Sequence, residues 1–165
     1  MVASDENETE MAEPPAIEIR PATPADVQNI RYLVRAAYAK WIPVIGREPL
    51  PMSADYERAV REHQINLLYA DGEMVALIEM IPHSDHLYIE NVAVLPERRG
   101  RGFGRLMLAN AEQTAISRGL SEIRLHTNGA FDSNIALYQA INYRIDREEP
   151  FMGGTRVCMS KKIGG

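Results

Sequence analysis

The stretch Val92-Ala93-Val94-Leu95-Pro96-Glu97-Arg98-Arg99-Gly100-Arg101-Gly102-Phe103-Gly104-Arg105 changes character twice. An apolar run ends at Pro96, a loop with three glycines and four arginines follows, and Phe103, Leu106, Met107, Ala111 and Ala115 then recur at helical spacing. The pattern predicts a strand, an arginine-glycine loop and a helix that starts inside the loop. Free N–H groups at a helix N-terminus, with the positive end of its dipole, attract an anion, and glycines let a phosphate approach the main chain. A Gly/Arg-rich surface turn has the same composition; the position between a strand and an amphipathic helix favours a pyrophosphate cradle. Two familiar phosphate loops do not fit. In the GxGxxG pattern Arg105 stands where the third glycine belongs, and no Gly-Lys-Ser/Thr is present for a P-loop.

Upstream, Ile17 to Arg20 alternates as a short strand. Thr23, Pro24 and Asp26 then form a helix start with a capping-box acid. Val27, Ile30, Leu33, Val34, Ala37, Tyr38 and Trp41 lie on one stripe of that helix. Pro43, Gly46, Pro49 and Pro51 predict a loop, and Ala54 to Arg61 a second helix. Asn66–Ala70 and Glu73–Ile81 read as a hairpin around Asp71-Gly72, with Leu87–Leu95 as the next strand. Downstream, Gly119 stops the signature helix. A strand over Glu122–His126, a helix over Ser133–Ala140 and a last strand over Arg156–Ile163 follow. The expected class is α/β: one mixed sheet, mostly antiparallel, flanked by helices.

The 165 residues suit one domain. The net charge of −5 arises in residues 1–16, which carry Asp5, Glu6, Glu8, Glu10 and Glu13 and no Lys or Arg. They read as an acidic, disordered tail ahead of a formally neutral domain over 17–165. That balance predicts no nucleic-acid partner. Without a secretory start or a run of 18 apolar residues, no membrane partner is expected and the location expected is the cytoplasm. The single Cys158 cannot form an internal disulfide, and His63, His83, His86 and His126 lack metal-site spacing, so no metal is expected.

Arg99-x-x-Gly102-x-Gly104, following Val-x-Val-x-Pro, resembles the acyl-CoA-binding signature of the GNAT N-acetyltransferase superfamily. Phe131-x-x-Asn134-Ile135-Ala136-Leu137-Tyr138, through Asn142-Tyr143, resembles a second segment of that family, with Asn142 replacing the usual glycine. The resemblance covers Ile17 to Ile163. It implies a sheet whose two central strands, Leu87–Leu95 and Glu122–His126, splay apart around acetyl-CoA, and an acyltransferase that acetylates a primary amine by direct attack on the thioester. Arg99, Gly100, Arg101, Gly102, Phe103, Gly104 and Arg105 would hold the pyrophosphate. The main chain of Val92, Ala93 and Val94 would pair with pantetheine as an added strand, and Asn134 would contact it. An N–H near Val92 would polarise the thioester, and Tyr138 would be the general acid. A homodimer fits the family habit.

Other readings stand beside these. Tyr138 also suits a core position. Strand alternation puts Glu90 on one face with Tyr88, Val92 and Val94, and a carboxylate there is either the general base or a structural glutamate; Glu79 is the second choice. Tyr38 and Trp41 could wall an acceptor site or simply pack. A non-catalytic acyl-CoA-binding module would keep the cradle and need neither acid nor base.

Overall fold

In the computed structural model, which describes residues 13–164, the capping box forms as the sequence predicts. The Thr23 N–H donates to Asp26 Oδ2 at 2.7 Å, and Arg20 grips the same carboxylate at 3.2 and 3.1 Å. A single 3-10 turn leads into α1 (Val27–Tyr38), whose buried stripe is Val27, Ile30, Leu33, Val34 and Ala37. Where a loop is expected, Pro43 instead sits near the start of a one-turn helix, α2 (Ile42–Ile45). Gly46 ends it in the left-handed conformation. α3 (Tyr56–Glu62) is capped by Asp55, which accepts the Arg58 N–H.

The strands are β1 (Ile17–Pro21), β2 (Gln64–Ala70), β3 (Glu73–Pro82), β4 (Leu87–Val94), β5 (Glu122–Asn128), β6 (Arg144–Phe151) and β7 (Gly154–Lys162). They form one sheet in the order β1-β2-β3-β4-β5-β7-β6. Only β4 and β5 run parallel. The two remaining helices are α4 (Phe103–Ser117) and α5 (Asp132–Ala140). Asp71 and Gly72 both have positive φ, as a tight hairpin between β2 and β3 requires. Asn142 takes the left-handed conformation expected of it after α5. Among the described residues no helix is long and apolar enough to cross a membrane.

Residues 1–12, most of the expected acidic tail, lie outside the described residues. Ala16, placed in that tail by composition, is bound to the β2–β3 turn: its N–H donates to Asp71 Oδ1 at 3.0 Å and its carbonyl accepts the Asp71 N–H at 2.9 Å. The strand β6 has no counterpart in the sequence reading. Its segment Arg-Ile-Asp-Arg-Glu-Glu-Pro-Phe is charged and mostly exposed at the sheet edge, so it carries no apolar alternation.

The sheet separates two apolar clusters. One joins Ile30, Leu33 and Val34 of α1 with Tyr56, Leu67, Leu77 and Ala93. The other sets Met107, Leu108 and Ala111 of α4 against Ile78, Met80, Leu87, Ile89, Ile123, Leu125 and Met159. The second cluster alone bridges the halves of the sheet.

Candidate active site

β4 and β5 pair only at Leu87–Ile123, Tyr88–Arg124 and Ile89–Leu125. Beyond Ile89 they diverge, which is the expected splay of the central strands. The divergence begins at a bulge. Glu79 of β3 faces Asn91 and Met80 faces Ile89, so Glu90 is the extra residue. The bulge inverts side-chain parity. Leu87 and Ile89 join the α4-side cluster together with Val92 and Val94, while Ala93 joins the α1 side. The single face assigned to Tyr88, Glu90, Val92 and Val94 by strict alternation is thus corrected: parity changes across Glu90.

On the α4 side a cavity of about 420 Å³ is lined by Val92, Ala93 and Val94 of the β4 end and by Gly100, Gly102, Phe103, Gly104 and Arg105. Gly102 adopts φ +82 as the residue before α4. The first helical bond runs from the Leu106 N–H to the Gly102 carbonyl, so the amides of Phe103, Gly104 and Arg105 have no intrahelical partner. A Cβ on Gly104 would lie 3.6 Å from Leu137 Cδ2 and 3.8 Å from Val94 Cγ2, which keeps α4 close to β4 and α5.

The arginines divide. Arg98 is paired with Glu73. Arg99 Nη2 donates to the Ala37 carbonyl at 2.6 Å near the α1 C-terminus, and burial lowers its guanidinium below the ordinary value. Arg105 lines the cavity and has no carboxylate within ion-pair distance among the described residues; Arg101 does not line it. Trp41 closes one side, stacked on Phe131 with centroids 4.5 Å apart. That contact clips the end of α1 to the start of α5.

A second cavity opens on the other side of the splay. It shares Tyr38, Val92, Asn134 and Tyr138 with the first, so these four residues mark where the two meet. Tyr138 is buried, and desolvation pushes its phenol up to about 12. Its hydroxyl has no hydrogen-bond partner among the described residues. Tyr38 donates to Asn91 Oδ1 at 2.6 Å, and Asn91 Nδ2 donates to the Tyr56 hydroxyl at 3.3 Å, which in turn donates to the Pro51 carbonyl at 2.7 Å. This chain fixes the residue that follows the bulge.

Glu90 lines the second cavity and is exposed to it. Glu79 lines neither. It is buried and bonded to His63 Nδ1 at 2.6 Å, with burial raising its carboxyl against that bond. His126, Arg47, Phe151 and Arg156 also wall the second cavity and were not singled out as site residues by their spacing. His126 contacts the Tyr88 hydroxyl, while desolvation and the Arg156 cation lower its imidazole below the ordinary value.

The fold has solved counterparts. PaiA N-acetyltransferase from Thermoplasma acidophilum, in complex with coenzyme A, matches with a TM-score of 0.78 and 18% identity over 90% of this chain and 99% of that one. Ard1 from Thermoplasma volcanium gives 0.75 and 17% over 91% and 99%. Arabidopsis thaliana Naa50, in complex with the bisubstrate analogue CoA-Ac-MVNAL, gives 0.71 and 18% over 89% and 99%. At these identities the likeness is one of fold. The family profile described as Acetyltransferase (GNAT) family matches residues 30–143, more than half of the sequence, and with the splayed sheet and the glycine cradle in place the chain belongs to the GNAT acetyltransferase family.

Proposed function

We propose that the protein transfers an acetyl group from acetyl-CoA to a primary amine by direct attack of the amine on the thioester. The observation that carries this reading is the meeting of two cavities at Tyr38, Val92, Asn134 and Tyr138, one behind a phosphate-type cradle and one walled by Glu90. Coenzyme A in the PaiA structure and the CoA-peptide analogue in the Naa50 structure support it.

Acetyl-CoA supplies an activated acyl carbon and a thiolate leaving group. The unpaired amides of Phe103, Gly104 and Arg105 and the Arg105 guanidinium hold its pyrophosphate. Gly100, Arg101 and Gly102 supply the close-approach loop, and Arg99, which also lines the cavity, ties that loop to the C-terminus of α1 through its bond to the Ala37 carbonyl. Past Ile89, β4 lacks a neighbour on the β5 side, so main-chain groups of Val92 to Val94 that face the splay are open to pantetheine. Asn134 stands beside that path. An N–H near Val92 polarises the thioester oxygen where charge develops.

Glu90 takes a proton from the ammonium form of the acceptor. As the N–C bond forms and the C–S bond breaks, Tyr138 protonates the thiolate sulfur; the second nitrogen proton returns to Tyr138 through solvent. A phenol held up to about 12 stays protonated at neutral pH, as a proton donor must. The test is thiol release from acetyl-CoA against an amine library, monitored together with thermal stabilisation by acetyl-CoA. Stabilisation with amine-dependent release is expected. Absence of stabilisation at saturating acetyl-CoA sinks the reading; stabilisation without release on any amine leaves a binding module in its place.

A further inference from the structure

The acceptor-side cavity contains a carboxylate and a guanidinium that no protein group neutralises. Glu90 makes no ion pair and no side-chain hydrogen bond among the described residues. Arg47 donates only to the backbone carbonyl of Glu48, at 3.2 Å, and the Glu48 carboxylate is itself bound by Arg35 at 3.0 Å. The other side chains of this wall that can carry charge at neutral pH have partners. Arg156 is bonded to Glu149 and lies over the Phe151 ring at 5.0 Å, and His126 contacts Tyr88. Glu90 and Arg47 line the same cavity without bonding each other.

The two charges sit at different ends. Glu90 is two residues from Val92, which belongs to the junction with the cradle, so its end is where an acceptor nitrogen must arrive. Arg47 also lines the adjoining outer groove, with Ile45 and Asn128, and so stands at the far end. Much of the remaining wall is apolar, including Ile45, Pro49, Leu50, Phe131 and Phe151. A cavity with a free anion at its inner end and a free cation at its outer end complements a ligand of the opposite polarity.

We propose that the acceptor is an amino carboxylate with an apolar body, its ammonium at Glu90 and its carboxylate held by the Arg47 guanidinium. This rests on the acetyl-transfer reading above and adds the class of acceptor. A planar guanidinium matches a carboxylate with two parallel hydrogen bonds, which a lysine cannot reproduce.

The test uses the full chain with matched sets of 4-aminobutanoate, 4-aminobutanamide and butylamine, and of 6-aminohexanoate, 6-aminohexanamide and hexylamine, in which the two polar ends are separated by an apolar chain. Rates of CoA-thiol release are compared at one pH at which every acceptor is mostly in the ammonium form that Glu90 receives. The free acids should exceed their neutral partners in kcat/KM by about tenfold to a hundredfold, mostly through KM, as expected for a charge-assisted contact. Arg47→Gln should bring the ratio of acid to amide close to one, and Arg47→Lys should restore part of it. Thermal stabilisation by acetyl-CoA verifies that each variant is folded. Equal turnover of acids and amides by the wild-type protein would overturn the inference while leaving acetyl transfer intact. Failure to acetylate any amine, with acetyl-CoA still bound, would overturn both.

Discussion

Tyr138 is a tyrosine on a helix, and residue type alone would assign it to the core. Its surroundings separate it from a packing residue. It is buried, yet its hydroxyl lacks a protein partner and it lines both cavities, whereas the hydroxyl of neighbouring Tyr143 is sealed in without a partner and lines neither. If Tyr138 protonates the leaving thiolate, Tyr138→Phe lowers kcat by about 10²-fold and leaves acetyl-CoA affinity near wild type. Because the folded phenol titrates only at about 12, it is protonated throughout the range below. The ratio of wild-type to variant rate should therefore stay constant between about pH 7 and about pH 10; a ratio that collapses within that range removes the acid assignment. Tyr138 and Asn134, which line both cavities, were singled out through the resemblance of the whole segment from Phe131 to Tyr143 to a family pattern. Arg47 and His126 were not, because a lone arginine in a proline-rich loop and a lone histidine on a strand come to wall one cavity only when remote segments converge. Glu90 was legible as a residue and misread in its setting, since Leu-Tyr-Ile-Glu-Asn-Val-Ala-Val does not reveal in its own alternation that one residue is a bulge.

Among the elements, α4 is flanked by a matched pair of glycines that separates a ligand role from a backbone role. Gly102 before the helix has φ +82 and Gly119 after it has φ +70, and neither has an atom within 4 Å of an added Cβ. An alanine at either position incurs a left-handed penalty of about 1–2 kcal/mol. Only Gly102→Ala should also weaken acetyl-CoA binding by calorimetry, because only there does the new methyl stand in the cradle; equal affinities would show that the loop has another task. At the start of α1, Asp26 is held below the usual carboxylate range chiefly by its hydrogen bond from Arg20. A depressed folded pKa means that the stabilisation is complete above the unfolded value and is lost as pH falls through the folded one. Asp26→Asn should thus cost about 1–2 kcal/mol at neutral pH, the range of a lost cap. In urea melts the gap between variant and wild type should close as the pH is lowered through the carboxylate range. This capping box was readable from Thr23, Pro24 and Asp26 because its interactions are local. The edge strand β6 was not, because its pairing with β7 is set by a hairpin at Met152-Gly153 and its outward side chains need not be apolar.

At the scale of the whole molecule, the sheet has an open seam. Three residue pairs join β4 to β5, and the α4-side cluster is the apolar body shared by both halves. A ligand that enters this seam contacts both halves and stabilises their union. With acetyl-CoA at about 100 times Kd, mass action adds about 2.7 kcal/mol. At about 2–4 °C per kcal/mol for a domain of this size, Tm should rise by roughly 5–10 °C. Hydrogen exchange distinguishes how that stabilisation is distributed. If pantetheine lies between the splayed strands, slowed exchange should appear at Val92 to Val94, at Gly100 to Arg105 and in the first turns of α5. The β1–β2 edge, remote from both cavities, should keep its rates. Protection confined to Gly100 to Arg105 would show a ligand held only by its phosphates, and the splay would then have to be explained without the thioester.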